Sequence, residues 1–243
     1  MSERIFLSKF SGMKSALFLL LAALTLSACT DKPSPTIFLS FTESSSEGEY
    51  PVRMLVNDQY LRIEDGESPD GFILFDRATR TIYSVSHAGK TTLVLHVQPV
   101  TLAVPKLFDN IAKADTESLP SVDGKKVLHY RLFTNGERCF DVYAAEGLLP
   151  EAVVALREYH ETLAGEQAAM QTNMPASMQS ACDLADQIFL PARYLAQGFP
   201  VRQVNFGGVV RQLVSYKRDV PVQSGIFDVP KDYKQITPAT LRK

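Results

Sequence analysis

The feature that most constrains how this chain can fold is a series of short segments rich in β-branched and aromatic residues. Compact turn sequences separate them, among them Asn57-Asp58 and Asp65-Gly66, and no helical pattern intervenes. Segments of this composition, bounded by turn residues, are typical of β-strands. We therefore predict consecutive antiparallel hairpins from strands at 36–42, 50–56, 59–64, 72–75, 81–86 and 91–97.

The strand pattern returns after a longer connection at 98–122, in which residues 106–114 are predicted to form one or two helical turns. Asn135-Gly136 lies between two apolar segments, and an Asn-Gly pair in that setting is a strong hairpin signal. The remaining strands are predicted at 126–133, 138–144, 201–206 and 209–216.

Between these later hairpins the apolar residues take the spacing of a helix. From Pro150 to about residue 172 they form one stripe. The stripe contains Val153, Leu156, Leu163 and Met170. A second helix is predicted at 175–189, ending before Pro191. We expect an α+β, mainly β fold, in which a curved antiparallel half-barrel sheet carries an inserted helical hairpin on its concave face.

Residues 1–28 have the three parts of a bacterial export signal. Three basic residues precede the apolar segment 16–26, which is too short to span a bilayer because a span needs about 20 residues. The following Leu26-Ser27-Ala28-Cys29 resembles the lipobox of bacterial lipoproteins. The resemblance implies that Cys29 is acylated, becomes the first residue after cleavage and anchors the chain in a membrane. The alternative is an ordinary secretory signal followed by an unrelated cysteine.

Residues 29–35 are predicted to be a lipidated tether, since they are polar and contain Pro33 and Pro35. In enterobacterial lipoproteins an Asp directly after the lipidated Cys retains the protein in the inner membrane. Thr30 occupies that position here. The resemblance therefore implies the periplasmic face of the outer membrane in a Gram-negative cell envelope.

With Cys29 assigned to lipidation, Cys139 and Cys182 remain as an even pair in a compartment where thiols oxidise. We predict that they form a disulfide, which ties the second helix to the strand at 138–144. The alternatives are two free thiols or half of a metal site. Two isolated cysteines without nearby histidines make a poor zinc site.

Charge and motifs argue against several functional classes. The formal net charge is −2, and removal of Glu3, Arg4, Lys9 and Lys14 with the leader makes it −4. This negative net charge argues against nucleic acid as a partner and against electrostatic binding to anionic lipid. The sequence has no Gly-x-Ser-x-Gly elbow, no His-Glu-x-x-His and no phosphate-binding glycine loop. We predict no catalytic residue, no metal and no cofactor.

Two features could carry chemistry, and each has a simpler structural interpretation. His160 lies beside Glu161 near the apolar stripe and could act as a ligand or a base, but we favour a histidine packed against the sheet. The second feature is the acidic series Glu64, Asp65, Glu67 and Asp70. Its carboxylates could bind a hard cation. Its spacing is not that of a calcium loop, so a solvated hairpin turn is favoured.

The leader, the meander of hairpins, the late helical insertion and the ending Phe227-Asp228-Val229-Pro230-Lys231-Asp232-Tyr233 together resemble the LolA/LolB-like superfamily. In that superfamily a half-opened β-barrel holds a lid of helices over an apolar cavity that accepts acyl chains. The resemblance implies a single domain of this kind at 36–243. A gap of a few hundred cubic ångströms between sheet and helices would suit a small ligand, since such pockets commonly measure roughly 300 to 1,000 Å³.

The sequence thus predicts a non-enzymatic outer-membrane lipoprotein that binds a lipid or another apolar ligand in a half-barrel cavity. The alternative is an interaction module that docks on an envelope protein through a sheet edge or a helical face, without a cavity.

Overall fold

The computed structural model describes residues 34–66, 70–114, 119–172, 174–175 and 178–241. The expected leader at 1–28, most of the expected tether including Cys29, and Glu67 lie outside these ranges. The fold is mainly β, with one 12-stranded mixed sheet that does not close on itself. The strands are β1 (Ile37–Ser45), β2 (Gly48–Val56), β3 (Tyr60–Asp65), β4 (Gly71–Asp76), β5 (Thr81–Ser86), β6 (Thr91–His96), β7 (Asp109–Lys113), β8 (Val127–Thr134), β9 (Glu137–Ala145), β10 (Phe199–Asn205), β11 (Val210–Lys217) and β12 (Lys234–Ile236).

The strand order is β12-β6-β5-β4-β3-β2-β1-β11-β10-β9-β8-β7. The first six strands form the predicted antiparallel meander, and the later hairpins continue the sheet on the other side of β1. The first strand of the fold therefore lies inside the sheet, hydrogen-bonded to β2 on one side and to β11 on the other. Each strand predicted from the sequence occurs within three residues of its predicted bounds.

The two edge strands correct sequence-based expectations. Residues 106–114, expected to be helical, instead contribute β7, which pairs antiparallel with β8. The turn residue Asn135 brings them there, because its Oδ1 accepts a hydrogen bond from Phe108 N at 2.9 Å and its own N donates to Phe108 O at 2.9 Å. So short a segment is a poor isolated helix, and strand pairing satisfies its backbone better. At the other edge β12 pairs parallel with β6, so the sheet is mixed and not wholly antiparallel.

The long helix α1 (Pro150–Gln171) has the predicted position, with Pro150 in its first turn. The second helical segment begins later than predicted, as α2 (Ala181–Asp183) continuing into a π-helix (Leu184–Phe189). Ser180 sets this start, because its Oγ accepts a hydrogen bond from Asp183 N at 2.9 Å, as an N-cap does. The remaining helices are a 3₁₀-helix (Arg193–Gln197) and α3 (Pro238–Leu241). None of the helices in the described ranges is long and apolar enough to cross a bilayer.

Alternation along the central strands builds the main core. In β1 the buried residues Ile37, Leu39 and Phe41 alternate with less buried ones, and they lie directly opposite Val56, Met54 and Val52 of β2. Ala152, Ala155 and Leu156 of α1 join the same cluster. One face of the sheet is therefore closed by α1.

A smaller cluster lies on the opposite face. Phe72 and Leu74 of β4 are buried with Val85 of β5 beneath the C-terminal residues Phe227 and Tyr233. This segment covers the second face of the meander, which explains why β4 is apolar along most of its length.

Two sets of contacts fix α1 across the sheet. Near its C-terminal end, Gly165 lies so close to the chain leaving β6 that an added Cβ would stand 2.2 Å from Gln98 O. Near its middle, Arg77 Nε lies 2.7 Å from Glu158 Oε2, and Arg80 Nη1 donates to Glu158 O at 3.1 Å. These contacts position the helix face that lines the candidate site.

Candidate functional site

A cavity of about 490 Å³ lies between the sheet and the helices. Its apolar walls include Met54, Ile63 and Ile73 from the sheet and Leu156 and Leu163 from α1. The volume falls within the range of roughly 300 to 1,000 Å³ that is common for small-ligand sites.

The inner face of α1 is a mixed stripe. Leu156, Tyr159, His160, Leu163 and Gln167 all line the cavity, and their spacing places them on one side of the helix. The polar members are not expected of a helix that only fills a core. They make this wall able to hydrogen-bond as well as to bury apolar surface.

A disulfide fixes a second helical wall of the cavity. Cys139 of β9 and Cys182 of α2 are bonded, with 5.2 Å between their Cα atoms, so the predicted pair is present. Asp183, Asp186 and Gln187, which closely follow Cys182, line the cavity. The bond therefore holds this wall against β9.

Arg193 connects the same wall to the edge of the sheet. Its side chain is 5% exposed and its Nε lies 2.6 Å from Asp186 Oδ1. Its Nη1 donates to Asp109 and, at 3.1 Å, to Phe133 O. Burial raises the pKa of Asp186 to about 6 despite the neighbouring guanidinium. Asp186 Oδ2 and Arg193 Nη2 have no hydrogen-bond partner among the described residues.

His160 lies in the cavity wall between two tyrosines. Its Nε2 is 2.9 Å from the Tyr194 hydroxyl, and its ring packs edge-on against Tyr159 and Tyr194. Burial, and secondarily Arg211, lower the pKa of His160 to about 4, so the ring is neutral at neutral pH. Burial also raises the pKa of Tyr194 to about 12. The pair is a neutral hydrogen bond that joins α1 to the 3₁₀-helix.

A charged pair lies where this cavity meets a second one of about 310 Å³. Glu43 and Arg211 line both cavities. Tyr50 lines the second cavity, and its hydroxyl donates a hydrogen bond to Glu43 Oε1 at 2.7 Å. Burial alone would raise the pKa of Glu43, but the charge of Arg211 and the hydrogen bonds from Tyr50 and Arg211 outweigh it and lower the pKa. Glu43 therefore stays ionised at neutral pH.

The acidic series of the β3–β4 turn lies partly within the described residues. Glu64 forms an ion pair with Arg62 at 3.1 Å, and both Asp65 and Asp70 have interactions of their own. In the described part of the chain, one group has ligand spacing for a metal: Cys139, Cys182 and Asp186. The two sulfurs of that group are bonded to each other.

Sequence reasoning did not single out Glu43, Arg211, Asp186 or Arg193. A signal for Glu43 exists, because it occupies the next inward position after Ile37, Leu39 and Phe41 in an alternating strand. A charged residue at a position that alternation assigns to the core indicates a partner or a cavity. The other three residues carry no comparable local signal.

No family model matches the chain, and no curated protein matches it. Solved structures that are similar include an uncharacterised conserved protein from Thermus thermophilus, with a TM-score of 0.43 and 10% identity over 84% of this chain and 91% of that chain. PNGF-II, crystallised in space group C2, has a TM-score of 0.44 and 9% identity over 86% of this chain and 32% of that chain. Likeness at this level carries no argument about function.

Proposed function

We propose that this protein is a lipid-anchored, non-enzymatic protein of the outer membrane that faces the periplasm and binds a lipid or another apolar ligand between its sheet and its helices. The observation that carries the proposal is the cavity of about 490 Å³, whose apolar walls come from both the sheet and α1. Its size suits an acyl chain with a small polar group.

The sheet that encloses this cavity is proposed to be a curved half-barrel with the helices as its lid, as in the LolA/LolB-like superfamily. Ile73 of β4 and Phe140 of β9 line the same cavity, although β4 and β9 are six strand positions apart in the sheet. Six spacings of about 4.8 Å would separate them by about 29 Å in a flat sheet. The shared cavity supports a sheet that bends around the helices.

The anchor is proposed from Leu26-Ser27-Ala28-Cys29. Replacing the acylated residue in a Cys29→Ser variant should abolish membrane retention and leave the folded domain intact. Fractionation of cells that express each form tests this, with circular dichroism of the released protein as the check on folding. Retention of the variant in the membrane fraction would contradict the anchor.

Ligand binding is tested by native mass spectrometry of the full chain extracted from outer membranes. We expect a bound species of lipid mass. Leu163→Trp should fill the cavity and remove that species, because Leu163 lines it. Val154→Trp is the matched control, since Val154 lies on the same helix and is 44% exposed. A protein without any bound small molecule, even after incubation with lipid, would overturn the proposal.

One observation favours the alternative of a docking module. β7 is the last strand of the sheet, and Phe108, 61% exposed, and Val104, 78% exposed, lie just before it. Exposed apolar residues beside a strand edge are suited to pairing with another chain. A photo-crosslinking residue at 108, compared with one at 154, would capture an envelope protein if this edge docks, and neither position would if it does not.

A further inference from the structure

Each charged side chain that lines the cavity already has at least one hydrogen-bond partner inside the protein. Arg211 donates to Glu43 Oε2 from Nη2 at 2.6 Å and from Nε at 2.8 Å. Asp186 accepts from Arg193 at 2.6 Å. Asp183 accepts from Ser180 Oγ at 2.7 Å and from Gln187 Nε2 at 2.8 Å. A ligand with an anionic head could reach the lining guanidinium of Arg211 only by displacing Glu43 from it.

The net charge of the side chains that line the cavity disfavours anions in particular. Among the described residues that line it, three are carboxylates, Glu43, Asp183 and Asp186, and Arg211 is the one permanent cation. Moving an unpaired anion from water into such a site costs free energy, because no free counter-charge replaces its hydration.

Two uncharged polar groups on α1 are available to a ligand. Tyr159 and Gln167 line the cavity, and neither the Tyr159 hydroxyl nor the Gln167 amide has a hydrogen-bond partner among the residues the structure describes. The Tyr159 ring is held by Phe75, with 5.9 Å between ring centroids, and by His160, with 5.4 Å. Burial raises the pKa of Tyr159, so its hydroxyl remains a donor at neutral pH.

Apolar side chains surround these two groups. Leu163 lies between Tyr159 and Gln167 on the helix stripe, and Ile63 and Ile73 face the cavity from the sheet. Tyr159 and Gln167 therefore offer uncharged donors and acceptors next to a surface that buries hydrocarbon.

We propose that the cavity selects an amphiphile with an uncharged, hydroxyl-bearing head, of the class of monoacylglycerols, and discriminates against fatty-acid anions and anionic phospholipids. This inference rests on the proposed lipid-binding function and names the ligand class of that site. Tyr159 and Gln167 bind the head, and the Glu43–Arg211 pair stays closed.

The test is a titration of the full chain in detergent, followed by native mass spectrometry at neutral pH. The probes are 1-monooleoylglycerol, oleate, dioleoylphosphatidylglycerol and oleylamine. We expect monooleoylglycerol to bind at least ten-fold more tightly than each of the other three. Tyr159→Phe should weaken its binding about three- to ten-fold, the effect of one hydrogen bond. Tyr83→Phe is the control, because Tyr83 packs on the opposite face of the sheet.

The outcomes separate the two proposals. Tighter or equal binding of oleate or of phosphatidylglycerol overturns the inference on charge and leaves lipid binding standing. Preferential binding of oleylamine also overturns it, since net charge would then decide selectivity. Binding of none of the four overturns the proposed function itself. If Tyr159→Phe fails to fold by circular dichroism, Gln167→Leu replaces it, and unchanged affinity in the folded variant overturns the assignment of the head group.

Discussion

Arg211 of β11 and Glu43 of β1 are direct register partners in the middle of the sheet, with 2.6 Å between Arg211 Nη2 and Glu43 Oε2. Their side chains are 30% and 14% exposed. The two residues thus lie opposite each other on neighbouring strands and are partly buried. Both line each of the two cavities, so the pair lies at their boundary.

We expect a double-mutant cycle on this pair to give a coupling free energy of about 1 to 2 kcal/mol, above the usual value for fully exposed pairs. The variants are Glu43→Gln, Arg211→Met and their combination, measured by urea denaturation. The more exposed pair Arg218–Glu151, at 3.4 Å, serves as the control, with coupling below about 0.5 kcal/mol. Equal coupling in the two pairs would refute the role of burial.

Replacing Arg193 should destabilise the fold strongly. Arg193→Ala leaves Asp186 buried without its partner, and breaking a buried pair in this way costs about 3 to 5 kcal/mol. Arg138→Ala is the matched control, because Arg138 also pairs with an aspartate but is 52% exposed. Its loss should cost less than about 1 kcal/mol. Similar denaturation midpoints for the two variants would contradict the buried network.

His160 should make the fold less stable in acid. Its pKa is about 4 in the folded state against an ordinary value of 6.5, so between these values the unfolded chain binds a proton that the folded chain does not. The free energy of unfolding therefore has its full value above pH 6.5, and it decreases by roughly 3 kcal/mol as the pH falls toward 4. His160→Phe should lack this loss in denaturation curves at pH 7 and pH 4. Tyr194→Phe keeps the buried imidazole and should retain it.

Asp186 should have the opposite effect and make the fold more stable in acid. Its pKa is about 6 in the folded state against an ordinary value of 3.8, so the folded chain takes up the proton first as the pH falls. Acidification from pH 6 to pH 4 thus contributes roughly 2 kcal/mol of stability that the charged form lacks. Asp186→Asn should remove this gain, and its stability should fall more steeply with acid than that of the unchanged protein. If the free energy of unfolding of the two proteins changed with pH in the same way, this role of Asp186 would be disproved.

The disulfide should contribute about 4 kcal/mol, the chain-entropy value for a closed loop of about 44 residues. The Cys139→Ser, Cys182→Ser double variant tests this by denaturation with and without a thiol reductant. We expect the reductant to bring the unchanged protein down to the level of the variant and to leave the variant unaffected. Equal stability of the oxidised protein and the variant would show that the bond has no structural role.

The sequence predicts elements whose signals are local. Asn135-Gly136, the alternation of Ile37, Leu39 and Phe41, and Pro150 each specify their own structure with few neighbours involved, and the strands and α1 follow from them. The cysteine pair is predicted because counting and compartment leave one pairing.

The features that escape prediction depend on contacts between distant parts of the chain. β7 forms because Asn135 holds Phe108, and β12 forms because the C-terminal segment crosses the meander to reach β6. The cavity depends on the same kind of contact. Its lining joins Glu43 to Arg211 across 168 residues, and whether apolar side chains enclose space or fill it is set by packing in three dimensions.

The interior position of β1 has a mechanical consequence. Any load applied to the chain ahead of residue 34 enters the sheet at a strand that is hydrogen-bonded on both sides. Tension along such a strand shears two ladders at once, whereas an edge strand can be peeled away one hydrogen bond at a time. When the domain is stretched between residue 34 and its C-terminal segment, the tension on both ends is equal, so three-residue β12, which pairs with β6 alone among the described strands, should detach before β1.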